Sequence, residues 1–161
     1  MRSINGIANS LTVGCSRLIK PALLSITMML TSVVHNSAAA TRSDAPIRFE
    51  QGAISNTLTG RLTPKENEHW YHFTATHQQY MVINILPLKC TSETANVGVL
   101  HIPDGTQSGN KGGIIYQGCL PESGDYRLRI ARNLMATKGL TAGYKAEVMI
   151  LPPHASKPLC P

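Results

Sequence analysis

The chain has 161 residues, of which 42% are hydrophobic, 15% charged and only 5% aromatic, with a formal net charge of +6. Such a length holds one modest core. A diffuse basic excess with so few aromatics excludes the concentrated cationic face and the base-stacking platforms of a nucleic-acid binder.

The first segment reads as a targeting signal. Arg17 and Lys20 precede an uncharged run over residues 21 to 34 holding Leu23, Leu24, Ile26, Met28, Met29, Leu30, Val33 and Val34, and Ser37, Ala38, Ala39 and Ala40 follow. A basic region, an apolar region and small residues in that order predict a secretory signal peptide over residues 1 to 40, cleaved after Ala40. A membrane anchor needs about 20 apolar residues, and this run is shorter and broken by Ser25, Thr27 and Thr31. The expected location is the periplasm of a Gram-negative cell, or the outside, with no stable membrane anchor. Arg2, Arg17 and Lys20 leave with the signal, so the mature balance falls to +3.

What remains divides into a domain over residues 41 to 151 and a proline-rich tail over residues 152 to 161. Between residues 54 and 62 the apolar positions 54, 58 and 62 share one parity, the period-2 pattern of a half-buried strand. The same alternation predicts strands over 69 to 76 (Tyr71, Phe73, Ala75), 97 to 102, 113 to 116, 125 to 131 (Tyr126, Leu128, Ile130) and 144 to 150 (Tyr144, Ala146, Val148, Ile150). Residues 80 to 86 are apolar on both parities, as a central strand would be. Turn residues such as Pro103-Asp104-Gly105 and Ser123-Gly124-Asp125 separate the runs, and no segment keeps helical periodicity for three turns. Seven or eight short strands at this spacing predict an all-β, antiparallel, jelly-roll-like sandwich. The tail, with four prolines, should be an extended strap covering a sheet edge.

Cys90, Cys119 and Cys160 enter an oxidising compartment, and three thiols cannot all pair within one chain. Cys90 and Cys119, both expected at strand ends flanking the same sheet region, are the candidate disulfide, with Cys160 free or joining two chains into a homodimer. The alternative joins Cys160 to either of the other two and pins the tail.

Catalytic and metal chemistry find no footing in the pattern. His69 and His72 differ by an odd number, which sends them to opposite faces of a strand, and neither Cys nor carboxylate completes a tetrahedral set with them and His77. The glycine-rich stretch from Asp104 to Gly113 is one residue short of a phosphate-binding loop, and Gly112 stands where Ser or Thr should follow Lys111. Ser123 lacks a nucleophile elbow, and no carboxylate pair suited to glycoside chemistry can be placed. The expectation is a binding protein with no enzyme activity, no cofactor and no metal. Its candidate contacts are cations around one strand and the loop after it. Arg127 and Arg129 face outward, with Glu147 across the sheet as a partner, while Arg132 and Lys138 are free in the loop to fork onto a carboxylate of another molecule.

The segment from Gly112-Gly113-Ile114-Ile115-Tyr116 through Leu120-Pro121-Glu122-Ser123-Gly124-Asp125-Tyr126-Arg127-Leu128-Arg129-Ile130 resembles the bacterial periplasmic inhibitors of goose-type (g-type) lysozyme. These are similar in turn to the prepeptidase C-terminal domain, a jelly-roll-like β-sandwich. The likeness takes in Leu58-Thr59-Gly60, Trp70-Tyr71-His72-Phe73 and Gln79-Tyr80-Met81-Val82, and covers roughly residues 48 to 151. The Leu-Pro-x-Ser-Gly-x-Tyr signature also marks a structural corner in prepeptidase-type sandwiches. The resemblance implies a lysozyme inhibitor whose loop, with two arginines four apart, enters the acidic catalytic cleft. Here Arg132 supplies the first, the position four later is Ala136, and Lys138 is the nearest remaining cation. The implied partner-binding residues are Ser123, Gly124, Asp125, Tyr126, Arg132 and Lys138. The alternative that the resemblance leaves open is a carbohydrate- or protein-binding sandwich of the cell envelope, with peptidoglycan or another glycan as partner.

Overall fold

A computed structural model describes residues 44 to 161; the predicted signal and its cleavage site lie outside them. The described chain is built from ten strands and one helical turn: β1 (Asp44–Pro46), β2 (Ser55–Leu62), β3 (Glu68–Ala75), β4 (Tyr80–Pro87), β5 (Glu93–Thr94), β6 (Val97–His101), β7 (Gln107–Lys111), β8 (Gly113–Cys119), β9 (Gly124–Ala131), β10 (Ala142–Ile150) and α1 (Pro153–Ser156). They form an all-β sandwich. One sheet runs β1-β3-β9-β6-β7 and the other β2-β10-β4-β8, with β5 beside β10. Pairing is antiparallel except for two short stretches, β1 with β3 and β5 with β10.

The inward parities expected from the sequence make the core. Phe73 of β3 and Tyr126 of β9 stack with ring centroids 5.5 Å apart; with Leu128 and Ile130 of β9 they share one core with Met81, Ile83 and Ile85 of β4 and Val148 of β10 from the other sheet. β4 lies inside its sheet, between β10 and β8, as its two-sided apolar character requires. Each fully buried aliphatic side chain in this layer contributes about 1.5–3 kcal/mol.

A polar contact crosses the core at Tyr144. Tyr144 of β10 meets His69 Nδ1 at 2.7 Å and the Tyr71 hydroxyl, joining β3 of one sheet to β10 of the other. Space for the Tyr144 ring comes from Gly60 on β2, where a Cβ would stand 2.2 Å from the Tyr144 oxygen. Burial pushes the pKa of His69 down, against an upward pull from Glu66, and burial, reinforced by Tyr71, pushes that of Tyr144 far up. As strand parity demands, His72 points the other way, to Asp44 at 3.0 Å.

Three expectations are corrected. The disulfide is Cys119–Cys160, with Cα atoms 5.7 Å apart, and not Cys90–Cys119; no described cysteine is free. Strand β8 ends at Cys119, where the tail arrives, so Cys160 is used inside the chain and does not join two copies. The tail is also less extended than its prolines suggest. Pro153 occupies the first turn of α1, where a missing N–H costs nothing. Buried Ser156 then accepts from Tyr80 N–H at 2.9 Å and closes the end of β4. Third, Glu147 and the two outward arginines are on different sheets: Glu147 pairs with Lys145, Arg127 with Asp44 and Arg129 with Glu68. Both arginines also lie over the Trp70 ring, Arg127 at 4.6 Å.

Candidate functional site

The site begins where β9 ends. Arg132 N–H bonds Asn67 O at 3.0 Å, one residue beyond the strand, and the chain then turns away from the sheet. Asn133 shapes that turn: its side-chain oxygen accepts from Met135 N–H at 3.2 Å and its carbonyl from Ala136 N–H at 3.0 Å. An Asn at this place offers the backbone a local partner in place of a ladder. The loop returns to β10 through Gly139, whose φ of +74° favours glycine.

Two charged side chains clasp the loop at its base. Arg132 is only 4% exposed. Its guanidinium donates to the carbonyls of Glu66 (3.0 Å), Leu62 (2.9 Å), Thr63 (2.5 Å) and Leu140 (2.5 Å), and reaches Glu93 at 3.3 Å. Glu93 of β5 accepts from Thr137 Oγ1 (2.6 Å), Lys138 N–H (2.7 Å) and Leu140 N–H (3.2 Å). These bonds, led by that from Thr137, hold the Glu93 pKa below its ordinary value. Charged partners make these the stronger class of hydrogen bond. The β2–β3 turn, β5 and the β9–β10 loop are tied to one arginine.

Outside the clasp the loop presents Leu134, Met135 and Lys138. Leu134 is 65% exposed and Met135 92%. Lys138 is exposed too, and no carboxylate among the described residues pairs with its ammonium group. Beside it lies an open cavity of about 380 Å³ lined by Ser92, Thr94, Asn96, Asn133 and Lys138 among others.

The residues read from the sequence as one contact set are not brought together. Arg132 is the buried base of the loop, and only Lys138 of the two cations faces outward. Ser123 accepts from His77 N–H at 2.8 Å, and Asp125 accepts from Thr74 at 2.7 Å. Gly124 sits with φ +146° against Pro103. Tyr126 is fully buried and donates to Glu122 O at 2.6 Å. That segment is a corner holding the sandwich shut, at the opposite end of β9 from Arg132, about 23 Å away at the rise of a strand. Sequence reasoning missed Glu93, Leu134 and Met135. Glu93 carries no pattern of its own, but two adjacent large apolar residues in a loop were visible. Among the described residues no group of three His, Cys, Asp or Glu could hold a metal ion.

No family model matches the chain, and no curated protein matches it. Solved structures do. PliG of Aeromonas hydrophila, a periplasmic lysozyme inhibitor of g-type lysozyme, superposes with a TM-score of 0.55 at 22% identity, covering 68% of this chain and 96% of that one. PliG of Salmonella Typhimurium gives 0.55 at 20%, and a mutant of the Escherichia coli inhibitor 0.52 at 21%, each covering 68% of this chain and 98% of the other. The chain has the PliG fold. At this identity the likeness concerns the path of the backbone, and function is argued from the site. In this version of the PliG fold the loop after β9 is held by Arg132 and Glu93 and offers one cation beside two apolar side chains.

Proposed function

We propose that the protein is a non-enzymatic inhibitor of g-type lysozyme, acting in the periplasm, and that the β9–β10 loop is the segment that enters the enzyme's cleft. The observation that carries this reading is the PliG fold combined with a clasped loop whose outward side chains are Leu134, Met135 and Lys138. Glycoside hydrolysis relies on carboxyl groups in an open groove, and Lys138 is an unpaired cation suited to them. A loop fixed in advance loses little conformational entropy on docking, which favours tight binding. Arg132 acts from beneath, shaping the loop.

The mature excess of +3 is too small to give strong long-range steering. Affinity then rests on the fit of the loop, with association little assisted by charge. The test is lysis of cell walls by a g-type lysozyme with increasing amounts of the purified protein. Inhibition at about micromolar concentration or below, with a c-type lysozyme unaffected, is the expected result. Unchanged lysis of both by a folded protein contradicts the proposal.

A further inference from the structure

We propose that Met135 is an oxidation site that weakens the protein's hold on its target: its conversion to methionine sulfoxide makes the apolar tip of the β9–β10 loop polar. This rests on the lysozyme-inhibitor reading. The described chain has three methionines. Met81 is completely buried in the core, Met149 is half-buried, and Met135 is 92% exposed. Access governs thioether oxidation, so the three should react in the order of their exposure.

The loop cannot withdraw Met135 from solvent. Asn133 fixes the turn on one side of it, Glu93 holds Thr137, Lys138 and Leu140 on the other, and Arg132 locks the base. Leu134, 65% exposed, stands next to it, so the tip is an apolar pair and not a lone exposed side chain. An apolar pair gains by entering a cleft, and a sulfoxide oxygen entering the same cleft needs a donor it was not built to meet.

The chemistry balances with a peroxide as oxidant. The Met135 sulfur attacks one peroxide oxygen, a sulfur–oxygen bond forms and the O–O bond breaks. The sulfur gives up two electrons, and the second peroxide oxygen leaves as water, taking the proton of the transferred hydroxyl. Reduction of the two sulfoxide epimers by the methionine sulfoxide reductases, with a thiol as electron donor, returns the thioether.

The experiment treats the purified protein with graded hydrogen peroxide, locates added oxygen by peptide mass spectrometry, and measures inhibition of a g-type lysozyme in the same samples. Met135 is expected to gain one oxygen before Met149 and well before Met81, and inhibition to weaken about tenfold or more as it does so. Reductase treatment should restore it. A Met135→Leu variant, whatever its starting potency, should keep that potency through peroxide. Full potency with Met135 oxidised, or equal loss in Met135→Leu, overturns the proposal. A reduced parent that never inhibits contradicts the function proposed above and the loss of potency with it, whereas oxidation falling first on another methionine contradicts the site alone.

Discussion

Arg132, read from the sequence as a cation free in its loop, is buried at the base of that loop. From the sequence it is a cation just past a strand, where a long side chain is ordinarily solvated. Its burial depends on the carbonyls of Leu62, Thr63 and Glu66, about seventy residues away and turned toward it by the β2–β3 connection. No local spacing announces them. Replacing Arg132 with Ala orphans several carbonyls at once and should destabilise the fold by about 3 kcal/mol, read as a lower urea midpoint. Lysine, which lacks the planar fork, should recover only part of the loss; a midpoint unchanged in Arg132→Ala would mean that the clasp holds nothing. The histidines set the pH response at the same scale. Both His69 and His101 sit below the usual 6.5, His69 chiefly by burial and His101 by burial and the Arg129 and Arg127 charges. Below 6.5 the unfolded chain therefore binds more protons than the folded one, and stability falls with acidification. Asp44 and Glu66 are held below 3.8 and 4.5, so their contributions fade only in more acid solution. Urea midpoints should drop between about pH 7.5 and 5.5, and a flat profile would contradict the directions given for both rings.

Among the elements, the strands with apolar residues to bury were legible, β6 and β8 included, and β1, β5 and β7 were not. β2, β3, β4, β9 and β10 announce themselves because their inward residues alternate over seven or more positions against a single core. β7 (Gln107–Lys111) is polar throughout, and β5 has two residues, so neither carries a period; they exist because neighbouring strands offer a ladder. The tail was legible only in part, since its prolines predict a strap but say nothing of the helical turn that positions Cys160. Breaking Cys119–Cys160, whose ends are separated by 41 positions in sequence, removes a cross-link worth about 4 kcal/mol by loop entropy. The Cys119→Ala, Cys160→Ala variant should unfold at lower denaturant; an unchanged midpoint would show that Ser156 and α1 hold the tail unaided. On β2, Gly60→Ala should lower the thermal midpoint, because its Cβ would displace Tyr144 from His69 and Tyr71. An unaltered midpoint would show that the sheets tolerate the shift.

The described residues, 44 to 161, form a small sandwich whose two ends differ. At one end, Ser123, Gly124, Asp125 and Tyr126 are committed to a corner, near which the tail is fastened at Cys119. At the other, a loop with a rigid base carries its apolar and cationic side chains outward. The corner signature in the sequence pointed to the fold, and the superposition on the PliG structures agrees. The loop proposed as the working surface was less legible, because its shape depends on Glu93 and Arg132 meeting across the fold. The proposed function and its site are tested together by inhibition of a g-type lysozyme by the parent protein and by a Met135→Asp, Lys138→Glu variant of matched thermal midpoint. The expected result is potent inhibition by the parent and a loss of about a hundredfold in the variant. Equal potency would place the contact elsewhere on the sandwich, and no inhibition by either would contradict the proposed function itself.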